Sequence, residues 1–487
     1  MKSTYRDIFF STSLVGAQQG VRLAVGVVQS KVVAVLLGAT GTGAFGLYST
    51  LLNLGQSLFG LGINSSGVRQ IAVARRPDSP APAQEIRILL GAHAVLALLA
   101  GAVFWLMRRP ISRWTFGDEA SVPALGYLAV SLAATLMAVG ALAVLQGLRK
   151  IRTLTVIHIL AAIASAGTSI ALIFRYRSAG IAPAFLGSSL CVLTIAWVFL
   201  PKLPRSEPLT SGKVVREVSA LTRLGTGFLA ASLLTALSAY VVRALLTRHL
   251  GLQAAGLYQA GWMLATFYVS TVLQAMGTDF LPRICAVTAC PEELNRQVNE
   301  QVEAGVLIVV PGLLLCLVAA PWLLRLLYTS EFLSSVGAAR WMIAGMLIRA
   351  AAWPLSYMPM ALNRPRVILL SETLAAAALI GFSAIGIRTH GLEGAGMAFL
   401  AASLLYTTVL LILARRLTSF SFSVRCRQLF LVLYPVAAVA FLLLAFPGKG
   451  VLPWGALVWV ALVCLGCAIH AVRLLGEKIP SIGSPQP

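Results

Sequence analysis

Apolar runs long enough to cross a bilayer recur about fourteen times along this chain, because roughly 20 residues rising 1.5 Å each span a hydrocarbon core of about 30 Å. They lie near 9–37, 44–66, 86–107, 122–146, 153–174, 179–200, 219–246, 253–282, 304–327, 335–359, 367–387, 392–413, 428–446 and 452–474. Such runs leave one solution for the backbone, since in lipid every N–H and C=O must be paired within the segment. The expected fold is therefore all-α: a polytopic membrane protein of about fourteen transmembrane helices. Composition agrees. Charged residues make up 11% of the 487 and apolar ones 58%, whereas a soluble domain carries about 25% charged. The first run is too long for a signal peptide and contains Arg22 and Lys31.

The net charge of +22 would suit a nucleic-acid binder if the basic residues shared one soluble face. They do not. Lys and Arg stand in small groups between apolar runs, which is the mark of membrane topology and excludes nucleic acid as a partner. With the N-terminus inside, Arg69, Arg75, Arg76, Arg149, Lys150, Arg152, Lys202, Arg205, Lys213, Arg216, Arg364, Arg366, Arg415, Arg416, Arg425 and Arg427 all fall on the cytoplasmic side. The positive-inside rule then places both termini in the cytoplasm and requires an even number of spans. The external connections are short, so no soluble catalytic domain fits on that side. The His and Cys residues are too dispersed for a metal cluster or a disulfide framework, and no cofactor is expected.

Two stretches resemble each other at an offset of about 210 residues, which is six spans and hence a parallel repeat. Val32–Gly38 followed by Gly46-Leu47-Tyr48 matches Val241–Leu246 followed by Gly256-Leu257-Tyr258. Arg69-Gln70-Ile71-Ala72-Val73 matches Arg283-Ile284-Cys285-Ala286-Val287. The expected plan is two pseudo-symmetric six-helix lobes, 1–200 and 218–416, joined by a cytoplasmic linker at 201–217. A C-terminal helix pair and tail, 417–487, completes it.

Charges at membrane depth are costly and mark interior or water-lined positions. Ser11, Gln18, Arg22 and Gln29 share one face of the first helix. Lys31 lies near its external end, Arg243 in the seventh span and Arg349 in the tenth, shortly before Trp353-Pro354. Guanidinium forks suit phosphate oxygens bidentately. Arg22, Arg243, Arg349, Lys31, Gln18 and Gln29 are the candidate substrate-binding set of a cationic cavity. The two acids at comparable depth, Asp279 and Glu372, are candidates either for ion pairs or for carrying a coupling H⁺ or Na⁺. Asp279 stands four residues before Arg283, the spacing of an intrahelical pair. No phosphate-binding G-x-x-x-x-G-K-[ST], H-E-x-x-H or G-x-S-x-G motif stands in a plausible context.

Gly60-Leu61-Gly62-Ile63-Asn64-Ser65-Ser66-Gly67-Val68-Arg69-Gln70-Ile71-Ala72 resembles the second-span ending of bacterial oligosaccharide flippases. Lys31–Gly38 with Gly43–Tyr48, and Gly391–Ala398 at the twelfth-span entry, fit the same group. These are the O-antigen (Wzx-type) translocases of the polysaccharide transport family, within the multidrug/oligosaccharidyl-lipid/polysaccharide (MOP) exporter superfamily. The resemblance implies a two-lobed bundle with a cationic central cavity in the bacterial inner membrane. It implies a non-enzymatic function: moving an undecaprenyl-diphosphate-linked oligosaccharide from inner to outer leaflet by alternating access. Membrane lipids, an H⁺ or Na⁺ coupling ion and polysaccharide polymerase or chain-length machinery are the other partners it implies. Asn64, Arg69 and Arg283 would form a cytoplasmic rim. The alternatives are a multidrug cation antiporter on the same fold, which calls for acidic rather than basic spans, and a membrane glycosyltransferase or polymerase, which calls for a larger, acid-bearing external loop.

Overall fold

A computed structural model describes residues 2–60, 62–74, 83–201 and 211–445, with the side chains of 2–17, 65, 69, 73, 211–228, 278 and 445 left out. Among the described residues the chain is helical throughout and contains no strand. The helices are α1 (Lys2–Phe59), α2 (Ile63–Ala74), α3 (Ala83–Phe116), α4 (Val122–Gly147), α5 (Ile151–Tyr176), α6 (Ile181–Val198), α7 (Ser211–Cys285), α8 (Pro291–Leu327), α9 (Val336–Ala361), α10 (Pro365–Thr418) and α11 (Val424–Ala445). Eight stretches of them are long and apolar enough to cross a membrane. Helices stand at the positions of the first thirteen expected spans, and the fourteenth, 452–474, lies outside the described residues.

Three of these helices are too long to be one span. At 1.5 Å per residue a straight α10 of 54 residues would reach about 80 Å. Each instead breaks at a glycine in a left-handed conformation: Gly38 (φ 63°), Gly251 (φ 86°) and Gly391 (φ 59°). Only glycine takes up these angles without a Cβ clash. All three breaks fall between runs that the hydropathy reading keeps apart. Gly391 shows what the break does. A Cβ on Gly394 would collide with the Gly386 carbonyl, and one on Gly386 would meet the Gly394 carbonyl in turn. Residues eight apart on a straight helix would be about 12 Å apart, so α10 folds back as a helical hairpin. The α5–α6 pair turns likewise at Arg177 (φ 52°), where Gly180 abuts the Leu172 carbonyl.

The chain divides into two compact units. The first holds residues 1–256 with 327–329, and the second holds 257–326 with 330–487. In the first unit, Leu47 and Leu51 of α1 pack with Ala100 and Phe104 of α3 and with Leu125, Leu128 and Leu132 of α4. Tyr240 and Ala244 of α7 complete this core. Here α1 and α7 approach backbone to backbone. A Cβ on Gly43 would strike the Leu252 carbonyl, and one on Gly256 would strike the Ala39 carbonyl.

The second unit is built on α8, α9 and α10. Gly345 of α9 seats the Phe399 ring, and Gly396 of α10 lies against the Ala338 carbonyl. The connector from α10 to α11 is held by two asparagines one turn apart on α8. Asn295 Nδ2 donates to the Thr418 carbonyl at 2.8 Å, and Asn299 Nδ2 donates to that of Ser421 at 3.0 Å. Asn299 Oδ1 accepts from the Ser423 N–H at 2.8 Å, so these three backbone groups of the bend are paired. α11 itself is tied to α9 by Tyr434 Oη donating to the Leu347 carbonyl at 2.9 Å and Arg340 Nη1 to that of Leu444 at 2.6 Å. Large apolar side chains such as Leu98, Leu106, Leu326 and Leu431 point outward, as they do where lipid is the solvent.

Candidate functional site

In the first unit, the polar face of α1 is present but uneven. Gln18 is buried, Gln29 is half-buried and Arg22 is exposed. α1 packs on α5, the helix that carries His158. Ser11 lies outside the described side chains. Arg243 of α7 is buried, and its Nη1 donates to the Ala239 carbonyl of its own helix at 3.0 Å. Lys31 is half-buried, and its ammonium donates to the Tyr328 carbonyl.

Nearby, two further contacts join α3 to α7. Thr115 Oγ1 lies 2.5 Å from Tyr240 Oη, and the Trp114 ring lies 5.5 Å from that of Tyr240. These tyrosine contacts were not legible in the sequence.

The second unit holds the other candidates. Arg349 of α9 is half-buried, with its guanidinium carbon 5.0 Å from the centre of the Tyr406 ring and 5.5 Å from that of Phe399, both on α10. The Tyr406 hydroxyl donates to Glu372 Oε1 at 2.7 Å. Glu372 therefore has a phenol rather than an arginine as its direct partner, and Arg349 is held by ring faces, a favourable cation–π geometry. Phe399 continues the cluster edge-on to Trp262 at 5.0 Å, and Trp262 stacks on Tyr258 at 6.2 Å. Asp279 and Arg283 form the expected i,i+4 pair at 3.8 Å on an exposed face. Arg283 also donates to Gln301 Oε1 at 2.8 Å.

Asn64 stands in the first turn of α2, after the turn at Gly62 (φ 65°), and its Oδ1 is buried without a hydrogen-bond partner. The Arg69 side chain lies outside the described residues. Arg22, Gln18, Gln29, Lys31, Asn64 and Arg243 thus belong to the first unit, and Asp279, Arg283, Arg349 and Glu372 to the second. The structure brings Arg349 and Glu372 to one tyrosine. No group of three or more His, Cys, Asp or Glu able to hold a metal ion occurs among the described residues.

Residues 32–337 match the family described as "Polysaccharide biosynthesis protein". The chain belongs to this family. It is similar to the lipid III flippase of Escherichia coli (strain K12), with 24% identity over 409 residues covering 79% of this chain and 93% of that protein. Its fold matches that of the lipid II flippase MurJ in an inward closed conformation, with a TM-score of 0.68 and 12% identity over 96% of this chain and 99% of that one. It also matches a multidrug resistance MATE family transporter of the MOP superfamily in an inward-facing conformation, with a TM-score of 0.67 and 14% identity over 85% and 96% of the two chains. This family member is therefore a multi-pass membrane protein with the MOP exporter fold.

Proposed function

We propose that this protein is a flippase that moves an undecaprenyl-diphosphate-linked oligosaccharide, an O-antigen or exopolysaccharide repeat unit, from the inner to the outer leaflet of the bacterial inner membrane. The observation that carries this reading is the likeness to the lipid III flippase along nearly that protein's whole length, joined to the excess of arginine over acid at membrane depth. A diphosphate and its sugars lose their hydration in hydrocarbon, a cost of several kcal/mol for each unpaired polar group. Arginines at membrane depth, Arg22 and Arg243 in the first unit and Arg349 in the second, would supply donors in place of that water, while the prenyl tail stays in lipid. The two six-span lobes, both termini in the cytoplasm, would rock to expose the headgroup to alternate sides. The chain acts as a transporter and makes or breaks no bond. The MATE-like fold also accommodates a cation antiporter, but cationic drugs call for acids where this chain places arginines.

The test is transport in proteoliposomes loaded with a fluorescent undecaprenyl-diphosphate glycan, read by an external glycan-binding quencher. Wild-type protein should raise flipping well above empty vesicles, and Arg22→Ala should lower it more than Lys31→Ala does. Vesicles in which the wild type moves no labelled lipid would overturn the assignment.

A further inference from the structure

The C-terminal end of α3 carries charges that movement of a headgroup through the bundle does not use. In the topology expected from the loop charges this end lies outside, where basic residues are scarce. Yet Arg108, Arg109 and Arg113 stand there within six residues. They cap an apolar stripe. Leu98, Ala102, Trp105 and Arg109 are spaced four, three and four residues apart, which aligns them along one face of a helix, and all four are exposed. Exposed leucine on a spanning helix meets lipid rather than water. The stripe therefore runs from hydrocarbon at Leu98 to a cation at Arg109, about 16 Å further along the axis.

Trp105 fixes the upper end of this stripe. Its ring lies against Gly126 of α4, where a Cβ would come within 3.0 Å of it. The Arg108 guanidinium carbon sits 4.0 Å from the centre of the same ring, a close cation–π contact. Arg108 Nη1 is buried without a hydrogen-bond partner, so the accessible part of this half-buried side chain lies elsewhere on it. A planar fork already seated on a ring loses little freedom when it meets an oxyanion.

The acids at this end are engaged. Arg113 reaches Glu119 through Nε at 2.7 Å and Nη2 at 2.5 Å, and Asp118 accepts from the Ala120 N–H at 3.1 Å. Among the described residues no ion pair reaches Arg108 or Arg109. Two cations thus stand uncompensated at the top of a lipid-facing stripe.

We propose that this end of α3 binds one anionic phospholipid of the surrounding leaflet. Arg108 and Arg109 hold its phosphate, and an acyl chain lies along Leu98 and the small Ala102, below the Trp105 ring. A free anion would forgo the apolar stripe, and a zwitterionic phospholipid would leave the cations uncompensated. Bound there, the phospholipid sets the depth of the first unit in the leaflet. Such a site needs no transport activity and stands apart from the flippase reading.

The test is native mass spectrometry of the full chain in a neutral detergent, titrated with phosphatidylglycerol or phosphatidylcholine. Wild type should bind its first phosphatidylglycerol at least about tenfold more tightly than phosphatidylcholine. Arg108→Gln with Arg109→Gln should weaken that binding by about twenty-five-fold, roughly fivefold for each basic residue near an anionic headgroup. Trp105→Leu keeps the stripe apolar but frees the guanidinium, and should weaken it by a smaller factor. Arg149→Gln with Lys150→Gln removes the same charge beyond the far end of α4 and should change nothing. Arg109 is exposed, so Arg109→Gln alone, expected to bind about fivefold more weakly, decides the matter if the double variant fails to fold. Equal binding of the two lipids by wild type overturns the proposal. So does wild-type affinity in the Arg108 and Arg109 variants, or an equal loss in the Arg149 and Lys150 control. Farnesyl diphosphate at the same concentration should leave phosphatidylglycerol bound; displacement would give the site to a prenyl diphosphate and overturn the proposal as well.

Discussion

Replacing Gly394 by alanine tests the helical hairpin at Gly391, and with it the number of passes that the second unit makes. In a single straight helix, Gly→Ala at an interior position stabilises by about 0.5–1 kcal/mol through backbone entropy. In the hairpin the new Cβ would collide with the Gly386 carbonyl. The obstacle is backbone, so no rotamer relieves it, and overpacking of this kind costs about 1–3 kcal/mol. After the propensity gain is subtracted, Gly394→Ala should lose about 1 kcal/mol, or roughly 2–4 °C of melting temperature at 2–4 °C per kcal/mol. Gly381 of the same helix is the control, because a Cβ there meets nothing within 4 Å. Gly381→Ala should hold or slightly raise the melting temperature. The assay is thermal unfolding in one detergent, followed by circular dichroism, with the two variants side by side. If Gly394→Ala is as stable as Gly381→Ala, the two halves of α10 do not pack at Gly386 and Gly394, and the fold-back is refuted.

Other consequences follow from the same packing. Asn299→Ala removes the acceptor of the Ser423 N–H and the donor to the Ser421 carbonyl, which costs about 1–3 kcal/mol for each buried group left unpaired; limited proteolysis within 419–423 should accelerate while the rest of the chain stays resistant. Hydrogen bonds from Arg296, at 2.7 and 2.9 Å, and from Gln297, at 2.9 Å, hold the Glu293 carboxyl below its ordinary value of 4.5. Because that value is depressed on folding, the contribution is full above pH 4.5 and fades as pH falls through the lowered value. Glu293→Gln should therefore flatten the acid-side decline of the melting temperature, and an unchanged pH profile would show that the cluster adds nothing.

The passage of this chain through lipid was legible because it follows from length and polarity alone. A backbone in hydrocarbon must close its own hydrogen bonds, so each apolar run of sufficient length becomes a helix whatever its neighbours are. Left-handed glycines fall at three of the places where the runs part, since a residue without a Cβ takes up these angles most easily, whereas the α5–α6 reversal uses Arg177. The Asp279–Arg283 pair was legible for a similar reason, its partners being neighbours on one helix face. The partners of the other buried charges were not. Lys31 meets a carbonyl 297 residues away, and Glu372 meets a tyrosine 34 residues on, across a reversal of the chain. Hydropathy is blind to the rotation of a helix about its own axis, and lipid gives no hydrophobic drive to choose one. The close fit of small residues and ring faces makes that choice, as where Gly345 admits Phe399, and it emerges only when the helices pack.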